Sequence, residues 1–143
     1  MTAKTAGKPA KESEHQASLI RWAQLQRGKY PELALLFHIP NGGTRDPVEA
    51  AHLKAQGVKK GVSDLFLPVA RRGYHGLFIE MKRPHGRVSP EQQLFGDNVT
   101  RQGYLFHVAY GWEAAREALE WYLGGAERER PLRQSKAPHG VRA

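Results

Sequence analysis

Two short runs constrain this chain more than anything else in it: Gly61-Val-Ser-Asp64-Leu-Phe-Leu67 and Leu77-Phe-Ile-Glu80-Met-Lys82. Both are rich in branched and aromatic residues, the composition of a buried strand. Each also carries a charge where a core strand has none. Arg71-Arg72-Gly73 lies between them as a turn. Folding back antiparallel about Arg72 sets Val69 opposite His75 and Asp64 opposite Glu80. Directly opposed residues share a face, with Cβ atoms roughly 4.5–5.5 Å apart. Lys82, two residues on, returns to that face about 6.6 Å along the strand. A slip of one residue would send the two acids to opposite faces, so hairpin and site stand or fall together.

The rest of the chain supplies helices around these strands. Ser13 is a candidate cap for a helix in which Ala17, Ile20, Ala23 and Leu19, Trp22, Leu25 recur at helical spacing, until Gly28 and Pro31 end it. Leu33–Ile39 is a strand-like apolar run closed by the turn signal Asn41-Gly42. Asp46-Pro47-Val48-Glu49 opens a short helix that ends at Gly57. Ser89-Pro90-Glu91-Gln92 opens another, running to Gly103, with Gln92 at the capping-box position. A strand over 104–110 follows, then a helix whose face is Trp112, Ala115, Leu119, Tyr122 and Leu123. The helix between the third strand and the fourth predicts a right-handed crossover, hence a mixed central sheet covered by helices in an α/β fold.

At 143 residues the chain is long enough for one domain with a real core. The expected domain spans 13–125; the polar stretches 1–12 and 126–143 read as disordered basic tails. There is no cysteine, which excludes disulfides, thiolate metal sites and cysteine nucleophiles. No apolar run reaches membrane-spanning length and the start has no signal-peptide core, so the expectation is a cytoplasmic protein with no membrane association. The formal net charge is +8. Within the body, Lys54, Lys59, Lys60, Arg83 and Arg87 crowd the two acidic strands. A basic rim around an acidic centre suits a polyanionic substrate.

Asp64, Glu80 and Lys82 can be read as a strand-start residue, a salt-bridged acid and a surface cation. Their common register argues for chemistry instead, because an acid on a central strand is normally paired or bound to metal. Two facing carboxylates repel and call for a cation or a shared proton. They suit Mg²⁺ or Mn²⁺, which takes phosphate oxygens as further ligands, and a neighbouring lysine can orient the attacking water. The histidines form no paired zinc motif. Phosphodiester hydrolysis is the chemistry these residues fit.

The order Glu14 with Gln16, Ile39-Pro40-Asn41-Gly42, Lys54 with Gly57, Gly61-Val62-Ser63-Asp64, Glu80-Met81-Lys82 and Ser89-Pro90-Glu91-Gln92 resembles the VRR-NUC domain of the PD-(D/E)xK nucleases over about residues 13–124. Ser63 stands where the motif has proline. The resemblance implies a restriction-endonuclease-like fold with an α-β-β-β-α-β core and metal-dependent DNA cleavage. It assigns Glu14, Asp64, Glu80 and the Met81 backbone carbonyl to the metal. Lys82 becomes the catalytic lysine, Gln92 a site residue, and Asn41 joins the basic rim as a DNA contact. Similarity to Holliday-junction resolvases implies a homodimer acting on branched DNA. The rival expectations are a non-catalytic nucleic-acid-binding module on the same fold and a phosphodiesterase directed at RNA or nucleotides.

Overall fold

The computed structural model describes residues 11–40 and 46–124, so the expected tails and residues 41–45, Asn41 among them, lie outside the described residues. The elements are helix α1 (Glu12–Leu25), a 3-10 turn (Pro31–Leu35), β1 (Phe37–His38), α2 (Pro47–Ala55), β2 (Leu65–Leu67), β3 (Leu77–Lys82), α3 (Pro90–Arg101), β4 (Leu105–Tyr110) and α4 (Trp112–Leu123). The strands lie in the order β1-β2-β3-β4, antiparallel except for the parallel β3–β4 pair that α3 connects. This is the mixed sheet expected from the sequence.

The β2–β3 ladder pairs Leu65 with Ile79, Phe66 with Phe78 and Leu67 with Leu77. Extended by one residue, that register sets Asp64 opposite Glu80, as the hairpin arithmetic requires. Near the turn it shifts: Arg71 bridges Tyr74, so three residues on one side oppose two on the other. Val69 and His75 are not among the paired residues, the His75 amide donating to the Gly103 carbonyl at 2.9 Å instead, and the extra residue makes a bulge. Arg72 and Gly73 sit at φ 51° and 83°, the left-handed pair of a primed hairpin turn. Helix α4 clamps this end. The Tyr122 hydroxyl donates to the Val69 carbonyl at 2.5 Å and accepts the Arg71 amide at 3.2 Å. Arg72 lies over the Trp121 ring, 4.2 Å from its centroid. Burial of that phenol pushes its pKa up to about 12.

Alternation divides the sheet. Leu65, Leu67, Leu77, Ile79 and Met81 point one way and form the core with Leu19 and Ala23 of α1 and Ala115, Leu119 and Tyr122 of α4. The two helices are tied at their starts by the Trp112 amide donating to His15 Nδ1 at 3.2 Å. Phe66, Phe78 and Phe106 point the other way, towards α3. There Phe95 meets Phe78 edge-on at 5.2 Å, and Gly96 rests directly on the Phe106 ring. A methyl group at Gly96 would overlap that ring, so Gly96→Ala will destabilise by about 1–3 kcal/mol from overpacking, outweighing the gain of up to about 1 kcal/mol in helix propensity. Thermal denaturation that shows a rise in Tm would contradict this packing.

The run 33–39 forms less strand than its apolarity suggests. Pro31 opens a 3-10 turn that buries Leu33, and only Phe37 and His38 pair with β2. Helix α1 likewise starts at Glu12 with Lys11 as its cap, not with Ser13.

Candidate metal and catalytic site

The site forms where β2 ends against β3. Beyond Leu65 the backbone ladder stops, and the Asp64 side chain takes its place: Oδ2 accepts the Met81 amide at 2.8 Å. The Asp64 main-chain carbonyl accepts the Ile39 amide at 2.8 Å and lies 2.8 Å from His38 Nδ1. One carboxylate oxygen is thereby fixed, and the carboxylate is held beside Glu80.

Glu80 is 1% exposed in the middle of the sheet. Gln92 Nε2 donates to its Oε1 at 2.8 Å, and Lys82 Nζ stands 3.7 Å from the same oxygen. Its Oε2 is buried with no hydrogen-bond partner. Burial, then the Asp64 carboxylate, pushes the Glu80 pKa up to about 8 against the opposing pull of Lys82. Lys82 is itself buried, at 6% exposure. Gln92 reaches Glu80 because the capping box at the start of α3 holds the residue at two points: the Ser89 amide donates to its side-chain Oε1 at 2.8 Å, while the Gln92 backbone amide donates to Ser89 Oγ at 3.2 Å, which leaves Nε2 facing the acid. The cap that explains Gln92 locally also aims it at the acid. Close packing seats α3 here, since a Cβ on Gly61 would lie 2.5 Å from the Glu91 backbone.

Glu14 is not brought to this point. It is exposed, and its Oε2 accepts the Lys11 amide at 2.8 Å. The acid of α1 whose charge acts on Glu80 is Glu12, which is half-buried. Helical spacing holds the signal that the motif reading passed over: Glu12, Gln16, Leu19 and Ala23 share a stripe, and Leu19 and Ala23 are core. Ser63, in the place of proline, is fully buried with its hydroxyl unpartnered.

The basic residues spread around this centre. Lys54 and Lys59 are exposed and make no ion pair among the described residues, and with Lys60 they line a cavity of about 740 Å³ beside α2. Lys60 pairs with Glu91 at 3.4 Å. Arg83 and Arg87 are exposed just past β3.

Among the described residues no three carboxylate or imidazole side chains gather tightly enough to hold a metal alone. The donors nevertheless fit a hard divalent cation. Two facing carboxylates, one with an unpartnered buried oxygen and a raised pKa, match an ion that keeps several waters and needs few protein ligands.

Residues 10–113 match the VRR-NUC domain family. The chain belongs to that family. Among solved structures it is similar to a VRR-NUC domain protein, at 30% identity and a TM-score of 0.73, covering 85% of this chain and 94% of that one. No curated protein matches it. The VRR-NUC domain is a PD-(D/E)xK-like nuclease domain, in a family that generally uses divalent metals. Among the described residues, no helix is long and apolar enough to cross a membrane.

Proposed function

We propose that this VRR-NUC protein is a Mg²⁺- or Mn²⁺-dependent endonuclease that hydrolyses phosphodiester bonds in branched DNA. The observation that carries the reading is Glu80: a buried, half-satisfied carboxylate, opposed by Asp64 and held by Lys82 and Gln92. Buried polar atoms usually have a hydrogen-bond partner, and at Glu80 the exception falls on an acid that faces a second acid.

Asp64, Glu80 and the Met81 carbonyl hold the cation, with Glu12 supplying further negative charge from α1. A divalent cation, when bound, stabilises the charge building on the phosphoryl oxygens and makes water a stronger nucleophile. Gln92 fixes the Glu80 rotamer by holding Oε1. Lys82, restrained by burial, orients water and offsets charge at the reacting phosphate. Lys54, Lys59, Arg83 and Arg87, together with Asn41, hold the backbone without reading sequence. Cutting both strands of a junction symmetrically requires two such sites, hence a homodimer.

The test is cleavage of four-way junctions, flaps, single strands and linear duplexes with Mg²⁺ or Mn²⁺. Paired symmetric nicks confined to the junction are expected. Cleavage in EDTA sinks the metal reading, and metal-supported cutting of RNA alone moves the substrate. DNA binding without metal binding or cleavage leaves a binding module. Glu12→Gln is expected to weaken metal affinity about 10-fold or more and Glu14→Gln less than twofold, read by calorimetric titration; the reverse order restores Glu14 to the site.

A further inference from the structure

We infer that Phe37 is a nucleobase-stacking residue that receives an unpaired base next to the scissile phosphate, an assignment resting on the endonuclease reading above. Phe37 is 47% exposed on the two-residue edge strand β1. It pairs with Phe66, and Phe66 lies two residues past Asp64. The ring therefore shares the sheet face of Asp64, Glu80 and Lys82. It stands one strand over, about 4.8 Å, and two residues along, about 6.6 Å, from Asp64. The resulting distance of about 8 Å is close to two stacked base steps of about 3.4 Å each.

The support beneath the ring is aromatic throughout. Phe37 meets Phe66 edge-on at 5.8 Å, Phe66 stacks on Phe78 at 4.3 Å, and Tyr104 closes on both at 6.0 and 5.5 Å. Helix α3 covers the Phe78 end through Phe95, whereas Phe37 stays open. A rigid, exposed ring backed by other rings on a sheet is the arrangement that stacks bases in single-strand binders. The exposed cations Lys54 and Lys59 after β1 and Arg83 and Arg87 after β3, which make no ion pair among the described residues, give the surroundings of the site a charge that favours nucleic acid over another apolar surface. A two-residue edge also offers few backbone groups for pairing with a second copy.

Equilibrium binding, read by fluorescence anisotropy in EDTA, tests this with a fully paired duplex and a duplex carrying two unpaired nucleotides, each with the full-length protein. Phe37→Ala is expected to weaken the unpaired substrate about 5- to 150-fold, the range that 1–3 kcal/mol of stacking corresponds to, and the paired duplex less than twofold. Phe37→Trp retains binding. An abasic nucleotide at the unpaired position makes the unaltered protein bind like Phe37→Ala, and 2-aminopurine there is quenched by the unaltered protein only. Equal loss on both DNAs, or quenching that survives Phe37→Ala, overturns the assignment. Conversion of a dimer to a monomer by Phe37→Ala, with equal loss on both DNAs, overturns it in favour of a contact between copies. Failure of the unaltered protein to bind any DNA instead overturns the endonuclease reading itself.

Discussion

Lys82→Ala will lower the single-turnover rate of metal-dependent cleavage by about two to four orders of magnitude, the range for a positioned proton-transfer or charge-stabilising group, while DNA affinity changes less than twofold. Lys82 is buried and its ammonium is 3.7 Å from Glu80 Oε1, so on the proposed reading it acts at the reacting phosphate and not in the outer backbone grip. Its removal also withdraws the attraction that opposes the upward shift of the Glu80 pKa, so the variant holds that acid protonated to higher pH. Arginine will not substitute. A planar guanidinium needs more room than a 6%-exposed ammonium occupies, and it cannot give up its proton. The control is anisotropy with the same DNA in EDTA. A rate within threefold of the unaltered protein would remove Lys82 from the chemistry and leave it as a structural counter-ion.

The hairpin was legible because two constraints, the alternation of apolar residues and the turn chemistry of Arg72-Gly73, act over a few residues of chain. They fixed the Asp64–Glu80 register although the turn itself carries a bulge, since the bulge lies on the far side of Leu67 from the site. Gln92 stands out twice over, once as a cap and once through the motif, and one side chain makes contact with both the Ser89 amide and Glu80. The run 33–39 misled because apolar residues serve a 3-10 turn as readily as a strand once Pro31 has set its start; only Leu33 needed burying. Glu12 was obscured because a motif marks a residue type at a spacing, whereas a helix places side chains by rotation, and two residues rotate a carboxylate about 200° around the axis. The exposure of Phe37 depends on which edge of the sheet α3 leaves open, a tertiary fact with no local signal.

Glu80→Gln will abolish cleavage and, in the absence of divalent ions, stabilise the protein as the pH rises above neutrality. The folded-state pKa of about 8 lies above the ordinary 4.5, so folding favours the protonated acid. The stability this confers is fully present below about pH 4.5 and is lost as the pH rises through 8. A neutral amide of the same shape has nothing to lose on that ramp. Between pH 5.5 and pH 9 the gap between variant and unaltered protein should therefore widen by roughly 2–4 kcal/mol. At about 2–4 °C per kcal/mol this is a Tm difference of roughly 5–15 °C at the alkaline end. Saturating Mg²⁺ or Mn²⁺ should close the gap from the other side by stabilising the ionised acid of the unaltered protein, while Glu80→Gln, having lost one of the two facing charges, responds weakly. Thermal melts at four pH values, each with EDTA and with metal, separate the cases. A Tm gap that does not vary with pH, or a variant less stable at pH 9 without metal, would mean that Glu80 is ionised and satisfied by Lys82 alone, and that its facing of Asp64 is structural.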